Sequence, residues 1–445
     1  MLSATDNKLI TETGPGTPGG AFFRRYWQPV ALTRELGASG GPLPVRLLGE
    51  DLVLFRDETG APGLLGLRCP HRCADLSYGR IEDGGLRCLY HGWLFDRHGT
   101  CLETPNEAEG SNYSDKIRHT AYPCREIGDV ILAYMGPTPV PPIPDYQFLH
   151  APDGYRFTHK FLHECNYLQA NEGNLDPCHV SFLHGNSIRR AEFAKIPGTS
   201  SVVDDLYQAQ RNPKLDYEET KFGLRIFSRR SLTDGNVYLR VTNFVTPNLA
   251  AIAGFEGRAG KGGYTASWHV PIDDTHHYRY DFTFQEDGPV DTAFYEASMA
   301  READGFNFVR SPRNRFLQDR GEMNGTTFSG MGTFFPVQDG FVVQSQGAIQ
   351  DRTKERLGTS DVIIIAARKI LLKAIRAAAE GDAPPPMPAT EEENDFSDLL
   401  VLSEAIPQAT DPFAHVRRRI EEKRAARLSA SAHDVALTTQ AANRP

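Results

Sequence analysis

Short apolar runs broken by turns dominate residues 43 to 135. Val45-Arg46-Leu47-Leu48 and Leu52-Val53-Leu54-Phe55 flank Gly49-Glu50-Asp51 and predict paired strands. Asp57-Glu58-Thr59-Gly60 is a turn before Leu64 and Leu65, Leu94 to Gly99 reads as a hairpin, and Asp129 to Tyr134 closes the unit. Ahead of it, Phe22, Phe23, Tyr26 and Trp27 lie beside Arg24 and Arg25, so Ala21 to Leu32 predicts a short amphipathic helix packed on that domain. Pro137 to Pro144 is a Pro-rich linker that sets a boundary near 140 to 150.

Residues 200 to 290 alternate polar and apolar positions, at least in part. Leu224-Arg225-Ile226-Phe227, Val237 to Val241 and Tyr278 to Phe282 predict strands of a twisted antiparallel sheet, which Ile252-Ala253-Gly254 and Ser267 to Val270 continue. Arg240 stands among apolar strand residues. It is either an outward-facing residue of a partly solvated sheet or a bidentate clamp for a carboxylate. Asp361 to Ala379 predicts a packing helix, Pro384 to Pro388 a linker before Glu391-Glu392-Glu393, Val416 to Arg427 a charged helix, and Ser429 to Pro445 disorder. The resulting division is an N-terminal segment packing on a β domain (1–42), that domain (43–145), a larger second domain (146–381), and a C-terminal linker, charged helix and tail (382–445).

Composition narrows the classes. With 445 residues, 40% hydrophobic and 24% charged, the chain can bury a sizeable core in two or three domains. A net charge of −9 disfavours nucleic acid as a partner. There is no 18-residue apolar run, and Met1 to Asp6 lacks the features of a signal peptide, so a cytoplasmic enzyme is expected. Seven scattered cysteines do not make a disulfide framework. Gly14-Pro15-Gly16-Thr17-Pro18-Gly19 matches a dinucleotide-binding pattern by letter only, since no apolar strand precedes it and two prolines interrupt it.

Two stretches carry chemistry. Cys69-x-His71 and Cys88-x-x-His91, with sixteen residues between His71 and Cys88, suit a Rieske [2Fe–2S] cluster. Two thiolates hold one iron there and two imidazoles the other. A structural zinc site is the alternative, although Cys-x-His is unusual for zinc. In the second stretch, Asn166 to His184, Glu172, Asp176 and His179 fall at i, i+4 and i+7 on one helix face. His184 lies five residues past His179, off that stripe, so both imidazoles meet one metal only if the helix bends between them. Pro177 favours such a bend. Two histidines plus a carboxylate make the facial triad of non-haem Fe(II) oxygenases. A surface helix with scattered polar residues is the other reading.

Together the two stretches resemble the α-subunit of Rieske non-haem iron ring-hydroxylating oxygenases. Gly14 to Pro18, Arg24-Arg25-Tyr26-Trp27 and Ser345 to Thr353 resemble the phthalate 4,5-dioxygenase-like branch, which includes phenoxybenzoate dioxygenases and aryl O-demethylases. The resemblance implies an α+β fold, with an all-β Rieske domain and a catalytic domain whose antiparallel sheet is covered by helices. It implies Cys69, His71, Cys88 and His91 on the cluster, and His179, His184 and Asp339 on the iron. Asp304, Asp319 and Asp351 are rivals to Asp339 that spacing alone does not exclude. Asp176 would bridge His91 of one subunit to His179 of the next, in a trimer or dimer of trimers, and Glu172 would stand beside the iron, holding the bend or relaying protons. Respiratory Rieske proteins add a cysteine to each ligand loop. Here Cys73 could be one, but Leu89 and Tyr90 fill the second loop, which favours the oxygenase type. A separate reductase would supply electrons from NAD(P)H. The implied reaction is hydroxylation of an aromatic acid, such as a phthalate or phenoxybenzoate, to a cis-dihydrodiol. O-demethylation or monooxygenation of a methoxy- or methyl-substituted acid is the alternative.

Overall fold

The computed structural model describes residues 1–37, 40–185, 203–253, 262–381 and 388–426. Helices α1 (Ala4–Thr11) and α2 (Pro18–Phe23) precede strand β1 (Gln28–Leu32). Ten short strands follow: β2 (Leu43–Leu47), β3 (Glu50–Arg56), β4 (Pro62–Gly66), β5 (Arg80–Glu82), β6 (Gly85–Arg87), β7 (Leu94–Phe95), β8 (Cys101–Glu103), β9 (Ala121–Tyr122), β10 (Cys124–Ile127) and β11 (Val130–Ala133). They make three small antiparallel sheets, ordered β1-β11-β10, β2-β3-β4-β9 and β5-β6-β7-β8. Val53, Phe55, Leu65, Leu76, Leu86 and Phe95 close a core against Cys69, Cys88 and Trp93.

The rest is built on one antiparallel sheet. After β12 (Arg156–His163) come α3 (Tyr167–Leu175), α4 (Val203–Ala209), β13 (Lys214–Thr220), β14 (Gly223–Ser231), β15 (Asn236–Val245), β16 (Leu249–Ile252), β17 (Tyr264–Pro271) and β18 (His277–Phe284). Beyond them lie α5 (Thr292–Glu302), the two-stranded β19 (Ala303–Asp304) and β20 (Asn307–Phe308), α6 (Phe335–Gln344), α7 (Val362–Ala379) and β21 (Leu402–Pro407). A last helix spans 412–426. The sheet order is β12-β18-β17-β16-β15-β14-β13, and β21 pairs with β15.

Side chains of a strand alternate between faces. On β18, Tyr280, Phe282 and Phe284 enter the main core, while Arg279, Asp281 and Thr283 face a cavity. The face read from the sequence as the polar side of a partly solvated sheet is therefore an interior surface. Helix α7 carries Ile363, Ala367, Leu371, Leu372 and Ile375 into the core on its opposite side.

Three local expectations change. The aromatic stretch after Ala21 is six residues of helix ending at Phe23, then the fully buried strand β1. The helices of the N-terminal segment lie on the second domain. Phe23 packs edge-on against Tyr167, whose hydroxyl donates to the Ile10 carbonyl at 2.8 Å, and Arg25 reaches the Ala378 carbonyl at 3.3 Å. Between Glu393 and Val416 lies an element that the sequence did not predict. β21 extends the large sheet, and Val416 and Ile420 of the last helix pack on Phe227, Leu239 and Val241. The charged helix is present to 426, and the tail from Ser429 to Pro445 lies outside the described residues.

Candidate functional site

The two Cys-His loops have one backbone design. Cys73 N–H donates to the Cys69 carbonyl at 2.8 Å, as Gly92 N–H does to Cys88 at 3.0 Å. Cys69 N–H then donates to Ala74 and Cys88 N–H to Trp93, both at 2.9 Å. Each loop turns through a left-handed residue, Cys73 at φ 59° and Gly92 at φ 77°. Both ligand pairs are thereby aimed at one space. Cys69 and Cys88 are buried, while His71 and His91 are half-buried at the rim, with ring centroids 4.5 Å apart. Trp93 stacks on His71 at 4.5 Å and anchors its indole N–H on Asn106 at 2.7 Å.

Burial pushes the Cys69 thiol up to about 12, and the adjacent Cys88 adds to the rise, against N–H donation from His71 and Arg72. Two neighbouring buried thiolates need a cation, and the buried Nδ1 of His91 has no protein partner. This donor set fits a [2Fe–2S] cluster, which Cys69 and Cys88 would hold from the buried side and His71 and His91 from the rim. None of the seven cysteines forms a disulfide.

The second group is His179, His184 and Asp339, whose ligand atoms lie within 4.8 Å of one another. The distortion that unites the histidines differs from the one expected. Helix α3 ends at Leu175, so Asp176 caps it and Glu172, Asp176 and His179 do not share a helix face. Pro177 follows, and His179 begins a separate 3₁₀ turn through Ser181. The break precedes both histidines.

Each ring is oriented from behind. His179 Nδ1 donates to the main-chain carbonyl of Asp176 at 2.7 Å. His184 Nδ1 donates to Gln338 Oε1 at 2.6 Å, and the Gln338 amide is itself fixed by Nε2 donating to the Gly332 carbonyl at 2.5 Å. These bonds turn both Nε2 atoms toward Asp339, whose Oδ1 is 3.0 Å from His184 and 3.8 Å from His179. Helix α6 supplies Gln338 and Asp339 in succession, one to each nitrogen of His184. Burial opposes the charge of Asp339, but His184, Arg279 and His179 outweigh it and hold the carboxyl well below the usual range. The donor set fits Fe(II). Asp319 spends its carboxylate on the Gly321 N–H, Asp351 is an exposed partner of Lys354 at 2.9 Å, and Asp304 sits on β19 away from the histidines' ion pairs.

Within one chain, the carboxylates of Asp176 and Glu172 are engaged away from the two histidines. Asp176 Oδ1 accepts the Cys178 N–H at 2.7 Å in a turn, and its carboxylate stays 3.8 Å from His179 Nδ1. The imidazole is held by the backbone of Asp176, not by its carboxylate. Glu172 is clamped by Arg368, with Oε1 at 2.6 Å and Oε2 at 2.9 Å, and by the fully buried Arg352 at 3.1 Å. It ties α3 to α7 and to the 350–355 turn.

Beside the iron-type group lies a cavity between the large sheet and helices α5 and α6. Ile226, Ile252, Val180, Met299 and Phe334 make its apolar wall. Arg240 is buried on that wall rather than facing solvent. It donates to Tyr207 Oη at 3.3 Å and to the Ala253 carbonyl, while Arg230 stacks on Tyr207 at 3.7 Å. Sequence reasoning missed Arg279, Asp281 and His159, which also line the cavity. The signal was available as two charges set between aromatics in Tyr278-Arg279-Tyr280-Asp281-Phe282.

The fold and the two donor groups define an oxygenase with an iron–sulfur centre and a separate mononuclear iron site. Comparison with known proteins agrees. Residues 26–122 match the Rieske [2Fe-2S] domain, and residues 133–434 the family described as LigXa C-terminal domain like. The phthalate 4,5-dioxygenase oxygenase subunit of Pseudomonas putida is 34% identical, covering 86% of this chain and 88% of that protein. The 5,5'-dehydrodivanillate O-demethylase oxygenase subunit of Sphingobium sp. (strain NBRC 103272 / SYK-6) is 32% identical, covering 86% and 83%. The fold is that of dicamba monooxygenase bound to dicamba, with a TM-score of 0.58 at 18% identity over 80% of this chain and 98% of that one. The chain belongs to the Rieske non-haem iron oxygenases, in the phthalate 4,5-dioxygenase-like branch. It is an oxidoreductase whose cofactors are a Rieske [2Fe–2S] cluster and a mononuclear iron, and as an oxygenase component it needs a reductase or ferredoxin. The cluster assignment replaces the zinc alternative. No described helix is long and apolar enough to cross a membrane.

Proposed function

We propose that the chain hydroxylates an aromatic carboxylate, with Cys69, His71, Cys88 and His91 holding the cluster and His179, His184 and Asp339 holding the iron. The observation that carries the substrate class is the cavity itself. Its apolar wall suits a ring, and Arg240 places a buried guanidinium on that wall, with Arg230 behind Tyr207. A carboxylate gains charge-assisted hydrogen bonds there. The iron, when bound, activates O₂ with electrons delivered through the cluster. The chain's own residues orient the ring over the site, exclude water from it and hold the imidazoles and Asp339 in place. Ring dioxygenation to a cis-dihydrodiol is the first reading, in keeping with the phthalate relative. O-demethylation is the second, favoured by the dehydrodivanillate relative at 32% identity.

Electrons would pass between copies of the chain, from the His71–His91 rim of one to Asp176 of the next, in a trimer or dimer of trimers. Leu89 and Tyr90, both more than half exposed beside His91, are suited to that contact. A separate reductase would draw the electrons from NAD(P)H in the cytoplasm. Arg240→Ala should raise KM for accepted aromatic acids about 10- to 100-fold, the equivalent of about 1.5–3 kcal/mol for a charged hydrogen bond. Neutral analogues of the same shape should be little affected. Unchanged affinity for every accepted carboxylate would rule out the clamp.

A further inference from the structure

Arg279 and Asp281 are separated by one residue on β18, so both project from the cavity face of the sheet. Their side chains are only 7% and 3% exposed. A buried guanidinium is costly unless its N–H groups are used. Those of Arg279 are used in three directions. Nε donates to Asp281 Oδ1 at 2.9 Å, Nη2 to Ser267 Oγ at 3.4 Å, and Nη1 to Asp339 Oδ2 at 3.3 Å. Asp281 is itself held, with Oδ1 accepting from Ser267 Oγ at 2.5 Å and Oδ2 3.5 Å from His159 Nε2.

The two oxygens of Asp339 therefore have different neighbours. Oδ1 faces the Nε2 atoms of His184 and His179, and Oδ2 faces a guanidinium. We infer that Arg279 is a positioning residue that keeps Asp339 a one-oxygen ligand by holding Oδ2, with Asp281 fixing and balancing the guanidinium. The inference rests on the assignment of His179, His184 and Asp339 to the iron. Two physical consequences follow. A carboxylate restrained at one oxygen leaves a coordination position that a two-oxygen mode would fill. Asp281 also offsets the charge of Arg279, so Asp339 keeps its own negative charge for a divalent cation. Without Asp281, the guanidinium would neutralise Asp339 and compete with the metal.

The test uses full-length protein with its cluster intact and oxidised, depleted of mononuclear iron and titrated with Co(II). Dissociation constant and low-temperature EPR of the bound Co(II) are read for wild type, Arg279→Met, Arg279→Lys and His179→Ala. Arg279→Met should weaken Co(II) binding about 10- to 100-fold, as loss of groups behind a ligand commonly does, and should alter the Co(II) spectrum. Arg279→Lys should recover part of the affinity without the wild-type spectrum, because an ammonium cannot span both carboxylates. Far-UV circular dichroism and the thermal unfolding transition report whether each variant is folded. If Arg279→Met does not fold, the Arg279→Lys spectrum decides. Wild-type affinity and spectrum in the folded Arg279 variants would overturn the inference. Equal Co(II) binding by His179→Ala and wild type would instead overturn the ligand assignment beneath it.

Discussion

Buried charge at single residues marks where this chain is most sensitive. Glu172 is engaged by Arg352 and Arg368, and Arg368 also binds Glu355. Removing one partner from a buried ion pair leaves the others uncompensated, at a cost of about 3–5 kcal/mol. Glu172→Gln should lower the unfolding midpoint at pH 7 accordingly. Burial opposes ionisation of Glu172, but the two guanidiniums outweigh it, so its folded carboxyl titrates below the ordinary 4.5. Its stabilisation is complete above that value and disappears as pH falls through the folded value. The gap between variant and wild type should therefore close below pH 4.5. An unfolding midpoint equal to wild type at neutral pH would contradict the clamp. Glu172 could be singled out from the sequence by its place near the histidines. Its role could not, because Arg352 and Arg368 lie 180 and 196 residues away, in stretches with no metal motif. Arg240 shows the same limit. A strand pattern gives the face but not whether that face meets water or a cavity.

At the scale of elements, the cluster loops depend on two left-handed turns. A Cβ at Gly92 would stand 2.8 Å from Pro105 Cγ, on a backbone at φ 77° that costs an L-residue roughly 1–2 kcal/mol. Gly92→Ala should lower cluster occupancy, read from iron content and visible absorbance, while leaving the large sheet folded. Full occupancy would show that the loop tolerates the strain. The loops were readable because all four donors lie within 23 residues and local spacing suffices. The bend around Pro177 was readable only as a need. Its place, before His179, follows from Asp176, whose carboxylate binds the Cys178 N–H and whose carbonyl takes the His179 ring.

Across the whole molecule, the two units share buried contacts. Leu48 and Gly49, in the turn between β2 and β3, donate to the carbonyls of Pro271 and Ile272 at 3.0 and 2.8 Å. The N-terminal helices and the C-terminal strand β21 pack on the large sheet's side of the structure, which local periodicity could not reveal, since pairings such as Arg240 with Ser403 span most of the domain. That pairing also supports the stretch of β15 that carries Arg240 into the cavity. The proposed function would set an aromatic acid between the Arg240 guanidinium on the sheet and the His179, His184 and Asp339 group on the 3₁₀ turn and α6. Product analysis under ¹⁸O₂ tests that function. The iron-loaded protein would be given a compatible reductase, NADH and a panel of phthalates, phenoxybenzoates and methoxybenzoates. The expected product is an aromatic acid carrying two labelled oxygens as a cis-dihydrodiol. Formaldehyde with a phenol would establish the demethylase reading instead. No labelled product from any acid, with a reducible cluster and a filled iron site, would contradict the assignment to aromatic carboxylates.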